Sequence, residues 1–262
     1  MISLYYTSYR LLPLSNRLLI GFHSILRALF SGIWLGFLSR EALLEIDHAY
    51  YTSAKKYSDK SYNKSGLQCW EKAIIRRYFQ DCKRLLLVGA GGGREMLALG
   101  RLGYQVCGFE CNPELVRAAN KLLEEEGLSS RVEFAPADTC PASQAICDGL
   151  IVGWGAYMLI HGRARRIALL RSMRAQVRPG AAILLSFFFR SPSAKRFFVT
   201  RAVGNALRRL LGREKVELGD ALEPECVHYF TREEIATELQ DGGFLIDYYS
   251  EHHYGHVVGI AS

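Results

Sequence analysis

The chain alternates between short apolar runs and longer segments in which apolar residues recur at helical spacing. Two apolar runs, Leu85 to Val88 and Val106 to Phe109, have the length of buried strands. Between them lie a glycine cluster, Gly89 to Gly93, and a segment with a helical pattern. The order strand, tight turn, helix, strand predicts one βαβ unit whose turn is of the nucleotide-binding kind.

The same alternation continues to the end of the chain. Further strands are predicted at Arg131 to Phe134, Gly149 to Val152, Ala182 to Phe189, Phe244 to Tyr249 and Val257 to Ala261. Helices are predicted at Arg163 to Val177, stopped by Arg178-Pro179-Gly180, and at Thr231 to Leu239, which opens with a Thr231/Glu234 capping box. This order predicts an α/β fold with a doubly wound, mostly parallel sheet covered on both faces. The final two strands are expected to pair as a hairpin.

The first 40 residues have a different composition and contain no Asp, Glu or Lys. From Leu18 to Leu38 the chain is nearly all apolar, which is long enough to span a membrane. An arginine at mid-span, however, costs about 2.5–3.5 kcal/mol. A polar stripe also recurs at helical spacing, formed by Asn16, Arg17, His23, Ser24, Arg27 and Ser31. We therefore expect an amphipathic helix that packs as a lid or makes peripheral membrane contact through residues 10–40; a spanning helix or a transit peptide are the alternatives.

Length and composition fit one α/β domain with a helical extension, divided as 1–64 and 65–262. The chain has 262 residues, 49% of them hydrophobic, and no low-complexity tract. Its seven cysteines form no C-x-x-C motif, and an odd number suits free thiols in a reducing, cytoplasmic compartment. Part of the net charge of +7 lies at 195 to 215, within an insert at 190–227. These basic residues predict either a cover that attracts an acidic substrate or an exposed amphipathic helix.

The glycine cluster and Glu110 suggest a ligand. Glycine at Gly89 and Gly91 lets the backbone turn sharply and approach a bound molecule. Glu110 ends the second strand about 20 residues later, where a carboxylate can accept both hydroxyls of a ribose. The pattern is G-x-G-x-G, not the G-x-G-x-x-G of dinucleotide sites, which place a pyrophosphate on the helix N-terminus. A nucleoside without phosphate, such as S-adenosylmethionine (SAM), fits this spacing; a turn that binds nothing is the alternative.

The sequence from about residue 65 to the end resembles the class I SAM-dependent methyltransferases, in the style of a small-molecule subgroup. The motifs that carry the resemblance are Val88 to Gly93, Glu110, Asp138, the Arg178-Pro179-Gly180 turn and the helix that ends at Gly242-Gly243. The resemblance implies a seven-stranded sheet with an antiparallel last strand, SAM as cofactor, and an insert that covers the substrate. One departure is Leu87, where the family often has an acid that orders the turn and the ligand's amino group.

By this resemblance the glycine turn holds the methionine part of SAM, Glu110 the ribose and Asp138 the adenine. The full set of residues expected at the cofactor is Gly89, Ala90, Gly91, Gly93, Glu110, Cys111, Asn112, Asp138, Thr139, Trp154 and Tyr57. No metal site is expected, although the His252-His253-x-x-His256 cluster has ligand-bearing side chains.

The substrate side of the site is expected after the fourth strand. Trp154 and Tyr157 offer aromatic faces that attract a cation. His161 is the best candidate for a general base, because an imidazole titrates near neutral pH, and His228 is a second candidate in the substrate cover. A base is needed only if the nucleophile arrives protonated.

A small-molecule acceptor is favoured over a nucleic acid. Enzymes that methylate the amines of bases carry Asn/Asp-Pro-Pro-Tyr/Phe after the fourth strand, where this chain has Gly153-Trp154-Gly155-Ala156. Three hypotheses remain: a small-molecule methyltransferase; a SAM-consuming enzyme that transfers the aminocarboxypropyl group or cyclises SAM; and a non-catalytic or NAD-binding module. A homodimer is expected only by analogy with lids that pair chains in such enzymes.

Overall fold

The computed structural model describes residues 22–142, 145–252 and 254–262. The helices of this part are α1 (22–37), α2 (Arg40–Ser53), α3 (Lys55–Ser58), α4 (Lys60–Lys64), α5 (Cys69–Tyr78), α6 (Arg94–Arg101), α7 (Pro113–Glu125), α8 (Arg163–Arg174), α9 (Lys195–Leu210) and α10 (Arg232–Asp241). The strands are β1 (Arg84–Val88), β2 (Gln105–Glu110), β3 (Val132–Phe134), β4 (Cys147–Val152), β5 (Val177–Phe189), β6 (Asp220–Leu222), β7 (Cys226–Phe230), β8 (Phe244–Ser250) and β9 (Gly255–Ala261).

The main sheet has the order β3-β2-β1-β4-β5, and each neighbouring pair is parallel. β9 then pairs antiparallel with β5, and β8 pairs antiparallel with β9. The predicted α/β fold, with its mostly parallel sheet, antiparallel last strand and terminal hairpin, is confirmed. Because β1 to β4 run in the same direction, their carboxyl ends meet at one edge, which is where open α/β sheets bind ligands.

The inner strands are apolar on both sides because helices cover both faces of the sheet. In β1, Leu86 and Val88 pack into one hydrophobic cluster, whereas Leu85 and Leu87 pack into the cluster on the opposite face. Leu87 is fully buried. Its side chain therefore belongs to the core beneath the glycine turn, and a polar group there would have no access to water.

An additional short ribbon extends the sheet beyond the sequence prediction. Phe188 and Phe189 at the end of β5 pair in parallel with Tyr229 and Phe230 of β7, and β7 pairs antiparallel with β6. The sheet thus has nine strands in the described residues. Since β6 has only three residues, its pattern is too short to distinguish a strand from a loop in the sequence.

The predicted helix from Arg163 to Val177 is too long at its C-terminus. α8 ends at Arg174, and Val177 already begins β5. Val177 pairs with β4, the register then shifts, and the pairing resumes at Ala182. Gly180, with φ of +83°, lies within the shifted stretch. The Pro-Gly pair therefore forms a bulge inside the strand rather than a turn before it.

α1 packs along α9 through its small residues. The hydroxyl of Thr200 on α9 donates to the carbonyl of Ala28 at 3.1 Å. A Cβ atom on Gly32 would lie 2.8 Å from the Thr200 carbonyl oxygen, and one on Gly36 would lie 2.7 Å from Leu207. The glycines therefore allow the two helix backbones to approach closely.

The expected amphipathic helix is present in α1, but two residues of its polar stripe, Arg27 and Ser31, contact the rest of the protein, whereas His23 is exposed. Ser31 is buried, and its hydroxyl donates to the carbonyl of Leu222 at 3.3 Å. Arg27 forms an ion pair with Glu223 at 3.4 Å. The opposite, outward face carries large exposed apolar side chains, namely Phe22, Ile25, Leu26, Leu29, Phe30, Ile33, Trp34 and Phe37.

Asn16 and Arg17, which the sequence predicts on the same stripe, lie outside the described residues. Within the described part of the chain, no helix combines the length and the apolar content needed to cross a bilayer.

Candidate active site

A cavity of about 420 Å³ lies at the carboxyl ends of β1, β2 and β4. Its floor is the glycine turn after β1, its walls are the segments after β2, β3 and β4, and its roof is formed by α2, α3 and α4. Cavities that bind small molecules commonly enclose about 300–1,000 Å³. The volume and position of this cavity therefore fit one ligand of cofactor size together with a second small molecule.

The glycine turn has the backbone that the sequence predicts. Gly89, Gly91 and Gly93 all have positive φ, at +75°, +54° and +95°. An added Cβ on Gly91 would meet no protein atom within 4 Å, so this residue borders open space in the cavity wall. Gly93 caps α6 and lies 3.2 Å, measured from an ideal Cβ, from the Ala119 side chain. It thus serves helix packing and is not part of the cavity lining.

Glu110 is held at the end of β2 by backbone amides. Its Oε2 accepts a hydrogen bond from Gly91 N at 2.7 Å, and its Oε1 accepts one from Asn112 N at 2.9 Å. Only 7% of the residue is exposed, on the cavity side. The Cys111 thiol also donates a weak hydrogen bond to Oε1 at 3.5 Å, whereas Oε2 retains a free lone pair. A diol can therefore donate to Oε2 directly and to Oε1 in place of the thiol.

Two contacts connect the roof to residues predicted at the cofactor. Arg40 at the start of α2 donates to Asp138 Oδ2 at 2.5 Å. Asn112 caps α7 with its Oδ1, and its Nδ2 donates to Thr52 Oγ1 of α2 at 3.0 Å. The sequence motifs gave no indication of Arg40 or Thr52, because both contacts span more than 50 residues.

A buried charge cluster next to the turn was also not predicted. Arg94 makes two hydrogen bonds of 2.7 Å to Glu71 and one of 2.5 Å to Glu95 Oε1. Glu95 lines the cavity and also accepts from Trp154 N at 3.2 Å. Burial raises the pKa of Glu95, and the positive charge of Arg94 opposes that shift. Glu95 thus places a carboxylate at the turn, where Leu87 cannot.

Aromatic rings surround the mouth of the cavity beneath α3 and α4. Tyr51 and Tyr57 have ring centroids 5.0 Å apart, and Tyr57 and Tyr62 6.2 Å apart. Trp154 also lines the cavity. The Lys56 Nζ atom lies 4.7 Å from the Tyr62 ring centroid and 5.9 Å from that of Trp154, which places these rings on the same side. Burial raises the pKa of Tyr57 to about 12, so its hydroxyl is neutral at physiological pH. These rings form the aromatic collar, and the faces of such rings attract cations.

His161 lies behind the cavity wall, paired with an acid of the roof. Its Nε2 is 2.9 Å from Asp47 Oδ2, and Asp47 Oδ1 accepts from Cys226 N at 2.7 Å. Asp47 lines the main cavity, whereas His161 lines a neighbouring one of about 50 Å³. The His161 Nδ1 atom is buried and has no hydrogen-bond partner among the described residues.

The structure places Tyr157 and His228 outside the cavity lining. The Tyr157 hydroxyl donates to Glu238 Oε2 at 2.8 Å in the core, where burial raises its pKa well above the usual value. His228 Nδ1 shares a hydrogen bond of 2.7 Å with Asp220. Burial acts to raise the pKa of Asp220, but the hydrogen bond and charge of His228 outweigh it and lower that pKa.

Among the described residues, Glu217, Asp220 and His228 have ligand atoms close enough to hold a metal ion, within 4.8 Å of one another. Glu217 already accepts from Arg166 at 2.8 Å, and Asp220 pairs with His228. This group is therefore an ion-pair network. In the His252-His253-x-x-His256 segment, His256 stacks on Trp70 with the ring centroids 4.6 Å apart. His253 lies outside the described residues.

The cavity therefore brings together ten of the eleven residues that the sequence predicts at the cofactor. Gly93 is the exception among the eleven. The ten are Tyr57, Gly89, Ala90, Gly91, Glu110, Cys111, Asn112, Asp138, Thr139 and Trp154.

Comparison with known proteins matches the central part of the chain to a family model. Residues 86–185 match the model described as "Methyltransferase domain". The ubiquinone biosynthesis O-methyltransferase of Xanthomonas axonopodis pv. citri (strain 306) is 27% identical over 165 residues, which cover 63% of each protein. This chain thus spans less than two thirds of the length of that relative.

Two solved structures share the fold. A SAM-dependent methyltransferase of Methanosarcina mazei superposes with a TM-score of 0.60 at 22% identity, covering 75% of this chain and 98% of that one. An amino pentose methyltransferase of Micromonospora echinaspora, with SAM bound, gives 0.55 at 17% identity, covering 77% and 95%. At these identities the likeness concerns the chain fold.

Proposed function

We propose that this chain, a member of the class I SAM-dependent methyltransferases, transfers a methyl group to an oxygen atom of a small molecule bound beneath the aromatic collar. Its cofactor is SAM. The observation that carries the proposal is the Glu110 carboxylate, which two backbone amides hold at the edge of a cavity of suitable volume. The division into a lid at 1–64 and a SAM-binding part at 65–262 is proposed with it.

The residues of the cavity fit this cofactor. Open space at Gly91 admits the amino-acid part along the turn, Glu110 accepts the ribose hydroxyls, and Asp138 accepts the adenine amine. We add Glu95 as the acceptor for the ligand's ammonium group, in place of the acid that the family often carries two residues before the first glycine. When bound, SAM supplies a methyl group on a sulfonium, with a neutral thioether as leaving group.

The aromatic collar supports a small acceptor with an apolar or aromatic body. Tyr51, Tyr57, Tyr62 and Trp154 place ring surfaces along one side of the cavity, and such surfaces bind flat apolar molecules and attract a sulfonium. The relative from Xanthomonas is named an O-methyltransferase, which supports oxygen as the nucleophile. By holding the acceptor next to the cofactor, these residues would supply mainly proximity and orientation.

For proton removal from a hydroxyl we propose the Asp47–His161 pair. Asp47 is at the cavity wall, and the hydrogen bond between the two residues allows a proton taken up there to be shared with the imidazole. His161 then acts as a positioning and proton-sharing residue rather than one that contacts the acceptor. Replacement by His161→Gln should lower kcat and change the shape of its pH profile, whereas a purely structural role would leave that shape unchanged.

The test of the overall function is mass analysis of the sulfur product. Purified protein is incubated with SAM and a pool of hydroxylated aromatic and sugar acceptors. S-adenosylhomocysteine together with an acceptor heavier by one methylene would support the proposal. Methylthioadenosine would instead point to aminocarboxypropyl transfer or cyclisation. Calorimetry with SAM and NAD separates both from a nucleotide-binding module.

We further propose a peripheral membrane contact through residues 10–40 and a homodimer, as the composition of the N-terminal segment and family analogy suggest. Residues 10–21 of this segment lie outside the described part of the chain.

A further inference from the structure

The outward face of α1 is the largest set of exposed apolar side chains among the described residues. Eight large residues of this one helix are between 37% and 62% exposed. Over 16 residues the helix is about 24 Å long, so the face forms one continuous strip. Large exposed apolar patches in a folded protein mark surfaces that another body covers.

The orientation of α1 is fixed by its contacts with α9 and β6. The small residues Ala28, Gly32 and Gly36 contact α9, and Ser31 exchanges hydrogen bonds with the backbone of Leu222. Arg208 of α9 also donates to the carbonyl of Leu35 at 2.7 Å. An ordinary surface helix buries most of its apolar side chains, whereas α1 buries one leucine, Leu35, and otherwise only small residues. Turning the apolar strip inward would break these contacts.

The charge of the helix pair indicates what covers the strip. α1 and α9 together carry Arg27, Lys195, Arg196, Arg201, Arg208 and Arg209 and no acidic residue. Arg213, three residues beyond α9, is exposed, donates to the carbonyl of Phe37 at the end of the strip, and forms no ion pair among the described residues. Two copies meeting through this surface would bring like charges together, whereas an anionic surface would neutralise them. Exposed apolar residues next to unpaired cations are the combination that anionic lipid surfaces bind.

We infer that α1 and α9 dock this protein onto an anionic lipid bilayer, with the apolar strip in the boundary between headgroups and acyl chains. Phe30, Trp34 and Phe37 supply the aromatic side chains that this boundary favours. Arg213 contacts the lipid phosphates. The inference names the residues and lipid chemistry of the membrane contact proposed above, and it does not depend on methyl transfer.

The test is cosedimentation of the full chain with phosphatidylcholine vesicles that contain or lack phosphatidylglycerol. The wild-type protein should bind the anionic vesicles, more weakly at high salt. Phe30→Ser/Trp34→Ser should reduce binding about tenfold or more through lost apolar burial. Arg213→Glu, a change of two charge units, should reduce binding to anionic vesicles by a similar factor of about ten and leave binding to neutral vesicles unchanged.

Matched control variants change the same residue types elsewhere. Leu102→Ser/Leu245→Ser removes two apolar side chains that are 61% and 58% exposed, and Arg131→Glu/Arg178→Glu reverses two exposed charges. Both controls should bind as wild type, and every variant should retain its affinity for SAM in calorimetry, which reports folding.

Three results would overturn the inference. The first is no binding of the wild-type protein to either kind of vesicle. The second is a loss of vesicle binding in the control variants that equals the loss in the test variants. The third is a dimer, seen by light scattering, that Phe30→Ser/Trp34→Ser converts to monomer, since the strip would then join copies of this chain. Because vesicle binding is measured without an acceptor, its failure leaves the proposed methyl transfer untouched.

Discussion

A Cβ atom on Gly92 would lie 1.9 Å from the carbonyl oxygen of Tyr57. It would also lie 2.5 Å from Asn63 Nδ2, the atom that donates to that same carbonyl at 3.0 Å. The third glycine of the cluster is therefore required by the roof over the cavity and not by the ligand.

Gly92→Ala should displace α3 and α4 from the turn. We expect the Kd for SAM to rise about tenfold or more, because a loss of about 1.4 kcal/mol in binding free energy already corresponds to that factor. Calorimetry measures it. Gly103→Ala, at a turn where an added Cβ meets no neighbour, should lower the melting temperature because of its positive φ yet leave SAM affinity unchanged.

Glu110→Ala should reduce SAM affinity about 100-fold, since hydrogen bonds to a charged group contribute roughly 1.5–3 kcal/mol. Glu110→Gln keeps one acceptor oxygen, so its SAM affinity should lie between that of the wild type and that of Glu110→Ala. Glu114→Ala removes an exposed acid from the first turn of the next helix and serves as the control. Wild-type affinity in the Glu110→Ala variant would show that the ribose lies elsewhere.

Glu95→Gln tests the acceptor proposed for the ligand's ammonium group. SAM affinity should fall about tenfold, because one charge-assisted hydrogen bond becomes neutral. Methylthioadenosine has the same nucleoside and no amino acid, so its affinity should not change. Equal losses for both ligands would mean that Glu95 acts only through the packing of Arg94 and Trp154.

Asp148 gives a prediction for stability against pH. Its Oδ2 accepts hydrogen bonds from the Lys83 and Arg84 amides, both at 2.8 Å. These bonds, led by that from Arg84, lower the pKa of Asp148 in the folded protein. Because this pKa is lower in the folded protein, the ionised carboxylate stabilises the fold at pH values above the pKa of the unfolded chain, about 3.9. That stabilisation is lost as the pH falls through the pKa of the folded protein.

Asp148→Asn should therefore lower the free energy of unfolding by about 1 kcal/mol at pH 7. The difference from wild type should shrink as the pH drops below about 4. Urea unfolding at several pH values measures both. A difference that stays constant down to pH 3 would show that the carboxylate charge contributes nothing.

The sequence predicted the βαβ unit and the position of Glu110 because both depend on local signals. Apolar runs of strand length surround the turn, and Glu110 directly ends the second run. The Arg94 cluster was not predicted, because Glu71 and Trp154 are brought to it only by the folded sheet. From the sequence, each of its three charged residues, Glu71, Arg94 and Glu95, could equally have been a solvated surface group.

The orientation of α1 shows a different limit. Periodicity reveals that a helix has two unlike faces, but it does not say which face lies against the protein. The four-residue spacing of Ala28, Gly32 and Gly36 was the available signal, because small residues at that spacing allow another helix to approach. The exposed apolar residues outnumber them and dominate any average of hydrophobicity.

The hydrogen bond between Arg40 and Asp138 has a consequence for turnover. The acid proposed to bind the adenine is also the acid that fastens the first turn of α2, so cofactor exchange and release of the roof are linked equilibria. Linkage works in both directions: whatever loosens α2 weakens the hold on the spent nucleoside, and its departure loosens α2 in return. Removing the hydrogen bond with Arg40→Gln is then expected both to weaken nucleoside binding and to loosen α2.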